Sequence, residues 1–186
     1  MPEQKLQQPI LIQENQFFDH RGKFIGSPIH NAWVENNVSS NRRGTFRGMH
    51  FQIEDTAQAK LVRVLHGSVV DVIVDLRDLP NNKNYLNVGV YNLVSFTKTH
   101  NNLALYIPKG FAHGFLTLED NTIFEYKVDA PYASEKGRGI HWESFPIFEE
   151  IFEKFNIGAD QLIISEKDKN AQTLNDWLKL NEKVIA

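Results

Sequence analysis

The chain has 186 residues, a formal net charge of −3 at neutral pH and no cysteine. Its length fits one domain, residues 1–186, able to bury a core without covalent staples, and the missing thiols exclude disulfides, thiolate catalysis and thiolate metal sites. With 41% hydrophobic and 23% charged residues it reads as globular rather than disordered, no apolar run approaches the roughly 20 residues of a membrane-spanning helix, and the acidic balance argues against nucleic acid as a partner.

From the N-terminus, Met1 to Gln8 is polar and lacks the apolar centre of a secretory signal, so a cytoplasmic location is expected. Strand signals dominate the middle. Leu61 to Leu65 is apolar apart from Arg63, His66-Gly67-Ser68 turns the chain, and Val69 to Leu76 is rich in β-branched residues. Asp71 and Asp75 fall on one face of that run; Val70, Val72 and Val74 fall on the other. Pro80 to Asn84 is a loop. Val88 to Val94 and Leu103 to Ile107 are predicted strands on either side of the polar stretch Thr97 to Asn102, and Pro108-Lys109-Gly110 marks the next turn. Phe115 to Leu118 and Thr122 to Val128 flank Glu119-Asp120-Asn121 in a hairpin-like pattern. Many short strands at short spacing predict a sandwich or barrel. Phe148, Ile151, Phe152 and Phe155 predict a short amphipathic helix over Ile147 to Phe155, packed on the sandwich, and Leu174, Trp177, Leu178 and Val184 a weaker one over Ala171 to Val184.

Four segments carry residues suited to chemistry. In Arg42 to Gln52 a basic cluster adjoins His50, a pattern for an anion next to a proton-transfer group; a solvated basic loop beside a structural histidine explains it equally well. If the second half is extended, Arg47, Met49 and Phe51 share one face and Gly48, His50 and Gln52 the other. Tyr106 to Phe115 contains Pro108, Gly110 and His113 in the Pro-x-Gly-x-x-His order of a cupin's second motif. The first motif lacks its His-x-His pair, since Phe51 and Gln52 follow His50. Only His50 and His113 can be assembled as ligands, which is too few for a metal site, and no metal or cofactor is expected. His20, His30, His66, His100 and His141 have no such context. The third segment places Tyr126 in a strand and Tyr132 in the loop after it; a tyrosine facing a barrel interior is commonly core. The fourth, Ile163 to Lys169, reads as a charged loop.

Taken in order, Arg43 to Gln52 (Arg-Gly-x-x-Arg-Gly-x-His-x-Gln), Gln58 to Arg63, Val72 to Arg77, Ile107 to Phe115 and Ser165 to Asp168 resemble the motifs of the dTDP-4-dehydrorhamnose 3,5-epimerase family. Phe17-Phe18-Asp19-His20-Arg21-Gly22 is similar to that family's opening motif. The resemblance implies an all-β cupin double-stranded β-helix (a jelly roll) with short peripheral helices. It also implies a homodimer that shares an N-terminal strand, works without a cofactor and acts on a nucleoside-diphosphate 4-keto-6-deoxy sugar. By the same resemblance His50 is the general base, Asp168 the carboxylate that orients it, Tyr126 the acid on the opposite sugar face and Lys60 the cation at the ketone oxygen. Arg21, Arg47, Asn37, His113 and Lys167 align with substrate-contacting positions, and Phe17 and Tyr132 with residues near the nucleotide base. One departure is Gly26, which stands where the family usually has a glutamate at the base.

The residue types suit the reaction. A hydrogen beside a C4 ketone is acidic because the carbanion delocalises onto oxygen. Removing it needs a base near neutrality, the enolate needs a positive partner, and return from the other face needs a donor. The alternatives are an epimerase that inverts C3 or C5 alone, one that uses GDP, CDP or UDP sugars, a non-catalytic sugar-binding cupin, and a metal-dependent cupin.

Overall fold

The computed structural model describes residues 8–20, 22–26, 32–77, 85–95, 97–98 and 103–180. Arg21, His30, His100, Val184 and the loop from Pro80 to Asn84 lie outside the described residues. In chain order the strands are β1 (Ile10–Gln13), β2 (Asn15–Asp19), β3 (Gly22–Gly26), β4 (Glu35–Asn41), β5 (Phe46–Gln52), β6 (Lys60–His66), β7 (Ser68–Asp75), β8 (Val88–Val94), β9 (Leu103–Ile107), β10 (Phe111–Thr117), β11 (Thr122–Val128) and β12 (Gly137–Gly139). The helices are α1 (Ile147–Phe155), α2 (Glu166–Lys169) and α3 (Leu174–Lys179).

Two five-stranded sheets run in the orders β1-β9-β6-β11-β4 and β12-β5-β10-β7-β8, and β2 pairs with β3 in a separate hairpin. All these pairings are antiparallel. The chain crosses between the two large sheets at β4 to β5, β5 to β6, β6 to β7, and again from β8 through β11, the winding of a jelly roll. The all-β class and the peripheral helices agree with the sequence.

Burial explains the strand patterns. Val70, Val72 and Val74 on β7 face a core formed with Phe148, Ile151 and Phe152 of α1 and Trp177 of α3. Val69 and Ile73 face the other sheet, against Val62, Val64, Leu105 and Phe124. Covered on both sides, β7 is buried along its whole length and reads as a nearly continuous apolar run. α1 matches its predicted span and supplies packing. α3 is shorter than predicted: Ala171 and Gln172 are not helical, Gln172 forms a bridge to Ile140, and the Thr173 side chain caps the first turn. Among the described residues no helix is long and apolar enough to cross a membrane.

The strands β5 and β10 depart from expectation in an informative way. β10 begins at Phe111, not Phe115, because Gly114 is a packing residue inside the strand rather than a terminator. A Cβ on Gly114 would lie 2.8 Å from Met49 Sδ and 2.9 Å from the Arg47 carbonyl, and one on Gly48 (φ +137°) would lie 2.4 Å from Gly114 Cα. The two strands touch there, and their register shifts between His113 and Phe115. The shift breaks the expected alternation at Arg47 and leaves it intact from Met49 to Gln52. Arg47, expected on the face of Met49 and Phe51, instead lines the cavity between the sheets together with His50, while Phe46, Met49 and Phe51 face the helical core.

Candidate active site

Between the sheets lies a cavity of about 290 Å³, at the small end of the range for small-molecule sites. β5 and β10 supply His50 and His113 from one sheet, β6 and β11 supply Lys60 and Tyr126 from the other, and α2 closes one side with Asp168. Phe115 and Phe124, stacked with ring centroids 4.1 Å apart, form an apolar wall.

His50 Nε2 lies 2.7 Å from Asp168 Oδ1. Asp168 is buried, and its second oxygen accepts the Gly48 N–H at 3.4 Å. Burial alone would raise its carboxyl, but the His50 hydrogen bond and charge, with the Gly48 N–H, hold it below the ordinary range. An ionised Asp168 accepts a proton-bearing Nε2, which leaves His50 Nδ1 as the basic nitrogen. The segment expected to be a charged loop is thus a helical turn. Its N-cap is Ser165, whose hydroxyl accepts the Asp168 N–H at 3.1 Å, and the cap fixes where Asp168 points.

A second histidine–carboxylate pair lies beside the first. His113 pairs with His50 across β10 and β5, and its Nε2 is 2.9 Å from Oδ2 of the fully buried Asp71. Burial lowers the His113 pKa, and Asp71 opposes that shift. Asp71 Oδ1 has no hydrogen-bond partner among the described residues. Burial also lowers Lys60 to about 8, with the negative charge of Asp71 opposing; the ammonium is 3.4 Å from the His50 carbonyl oxygen. Tyr126, half-buried, is pushed up by burial, which the Arg47 charge opposes, so its hydroxyl keeps its proton at neutral pH.

The structure gathers most of the residues singled out in the sequence. His50, Lys60, Arg47, His113, Tyr126, Tyr132, Lys167 and Asp168 all line the cavity. Asn37 does not; it sits on β4 directly opposite Tyr126 in the β-ladder. Phe17 lies on the β2–β3 hairpin, exposed and away from the cavity of its own chain, and Arg21 is outside the described residues. Gly26 ends β3 with open space where a side chain would project. Asp71 and the lining residues Gln52, Gln58 and Arg138 are not among the site residues expected from the sequence. The trace of Asp71 in the sequence is an acid at an inward position of an otherwise apolar strand. Among the described residues no three His, Asp or Glu side chains converge as a metal site would require.

A histidine on one sheet, paired with a carboxylate on α2 and facing a phenol and an ammonium on the other sheet, is the arrangement of an acid–base enzyme of the cupin class. Residues 3–176 match the family model for dTDP-4-dehydrorhamnose 3,5-epimerase, and the chain belongs to that family. The Escherichia coli dTDP-4-dehydrorhamnose 3,5-epimerase is 35% identical over 98% of this chain and 97% of its own. The Bacillus anthracis enzyme of the same name, solved with TDP and pyrophosphate bound, is 34% identical with a TM-score of 0.76, over 89% of this chain and 94% of that one. A Legionella pneumophila dTDP-6-deoxy-D-glucose-3,5-epimerase, in complex with dTDP-4-keto-L-rhamnose, is 29% identical with a TM-score of 0.75, over 96% and 94%.

Proposed function

We propose that this chain, acting as one functional unit in the cytoplasm, epimerises dTDP-4-dehydro-6-deoxyglucose at C3 and C5 to dTDP-4-dehydrorhamnose. The observation that carries the reading is the His50–Asp168 pair facing Tyr126 across one cavity, with Lys60 in the same lining. His50 Nδ1 removes the proton beside the ketone, and Asp168 stabilises the imidazolium. The Lys60 ammonium holds the enolate oxygen in a water-poor site, where a fixed charge is most effective. Tyr126 returns a proton from the opposite sheet, which inverts the carbon. Arg47 offers its guanidinium to the diphosphate, with its Nε held at 2.9 Å by Asn41 Oδ1. The test is proton NMR of the product formed from dTDP-4-dehydro-6-deoxyglucose, alongside thermal shifts with dTDP, UDP, GDP and CDP. Inversion at both carbons and the largest shift with dTDP are expected. Inversion of one carbon alone, or a preference for another base, would assign the protein to the narrower alternative that Gly26 suggests.

Three further outcomes follow from the site. Burial holds Lys60 at about 8, so kcat/KM, which reports the free enzyme, should fall on its alkaline limb with an apparent pKa near that value. A limb at 10 or above would show that Lys60 is not the required cation. The same residue makes folding stability rise with pH. Between about 8 and the ordinary 10.5 the unfolded chain binds the extra proton, so stability increases across that window by on the order of 3 kcal/mol, and Lys60→Met should remove the trend. Because the proposed proton transfers all use side chains, turnover should survive exhaustive dialysis against EDTA; loss that is restored by a divalent ion would overturn the metal-free mechanism.

We propose also that the protein is a homodimer in which the β2–β3 hairpin of one copy covers the cavity mouth of the other. Phe17, Phe18 and Phe24 on that hairpin are 59%, 62% and 69% exposed, an apolar patch on a two-stranded unit too small to be stable alone. Light scattering should give a dimer for the native chain and a monomer for Phe17→Ser/Phe24→Ser. A double variant of unchanged mass would remove the hairpin from the interface.

A further inference from the structure

Gln52 and Gln58 belong to two of the sequence motifs, yet neither has a part in the chemistry above. Both point at the same stretch of backbone, the loop from Asp129 to Ala133. Every residue of that loop is fastened by a side chain. Asp129 Oδ1 accepts the Ala59 N–H at 2.7 Å, and the Ala130 carbonyl accepts from Gln58 Nε2 at 2.8 Å. The Pro131 carbonyl accepts from Gln52 Nε2 at 3.1 Å, and the Tyr132 N–H donates to Glu35 Oε1 at 3.0 Å. The Ala133 N–H donates to Gln52 Oε1 at 2.7 Å. Gln52 Nε2 also reaches the Thr56 carbonyl at 2.8 Å, so this one buried amide ties the end of β5 to both sides of Tyr132. Only a primary amide can do this, since it must donate to two carbonyls and accept from an N–H.

The side chain at the centre of this stapled loop is itself free. Tyr132 is 59% exposed at the cavity mouth, so the fastening adds little to its own burial. An aromatic ring held on a rigid loop offers a fixed face to a planar ring and loses little freedom when a ligand arrives. We propose that Gln52 is a positioning residue for nucleotide recognition: by locking residues 131–133 it holds Tyr132 ready to stack on the base of the ligand. The proposal rests on the reading of the ligand as a nucleoside diphosphate sugar.

The test is calorimetric titration of the full-length native protein, Gln52→Leu, Tyr132→Ala and the double variant with dTDP, and with pyrophosphate, which has no planar ring. Gln52→Leu should weaken dTDP about tenfold and leave pyrophosphate unchanged. In turnover, KM should rise while kcat falls less than about twofold. In the Tyr132→Ala background Gln52→Leu should cost nothing more, because its effect passes through that ring. If it still weakens dTDP there, Gln52 touches the ligand itself and the positioning role is wrong. Unchanged dTDP affinity in Gln52→Leu alone also overturns it. Tyr132→Ala binding dTDP like the native protein sinks the reading of the base contact instead. Should Gln52→Leu fail to fold, Gln52→Glu keeps the acceptor for Ala133 and loses both donors, and the same outcomes apply to it.

Discussion

Alanine at His50 is expected to lower the epimerisation rate about 10²–10⁴-fold, the contribution usual for a positioned general base. No neighbour can take its place. His113, the nearest imidazole in the ladder, is buried and bonded to Asp71, and Lys60 is the residue we assign to the cation. The His50 side chain is 39% exposed, so its truncation leaves the two cores intact and thermal unfolding should shift little. Initial rates on dTDP-4-dehydro-6-deoxyglucose measure the effect. A variant within tenfold of the native rate means that another group removes the proton.

Phenylalanine at Tyr126 separates removal of the proton from its return. The substitution keeps the ring against Phe124, 6.4 Å away between centroids, and deletes only the hydroxyl. His50, Asp168 and Lys60 remain, so the enolate still forms. In deuterated water the substrate should then take up deuterium from the His50 side with its configuration retained, and exchange should outrun epimerisation. His50→Ala should lose both together. Because both rates come from one substrate, the comparison stands whichever nucleotide is preferred. Native-like epimerisation by Tyr126→Phe makes Tyr126 a wall of the cavity rather than the donor. Equal loss of exchange and epimerisation means the hydroxyl helps to place the substrate or form the enolate.

Segments whose residues repeat a simple pattern are legible along the chain. β8, β9, β11 and α1 have the spans that their periodicity predicts. β1 to β4 carry no comparable signal. β1 is only four residues long and β2 is almost wholly exposed. β4 alternates between covered and exposed positions, but the covered ones are polar and its single apolar residue, Val38, is exposed, and β2 and β3 lie in no large sheet. α2 is hidden because four charged residues make no apolar stripe.

By itself the sequence determined the sheet-forming runs, the apolar face of α1, the order of the motifs and the family they resemble. It also determined the residue types the reaction needs: an imidazole, a carboxylate, a phenol and an ammonium. Tertiary structure alone decided which of them meet. His50 and Asp168 are 118 positions apart, and only the winding of the sheets with the capped turn at Ser165 brings them to 2.7 Å. The contact of Gly48 with Gly114 turns Arg47 into the cavity, against the alternation that a regular strand would impose. Asp71 becomes a partner of His113 because β7 is buried on both faces, and the low polarity there lowers Lys60. Periodicity is set by bonds between near neighbours and can be read along the chain. Proton affinity and contact are set by the water excluded and the charges gathered around a group, and these exist only once distant strands have closed over it.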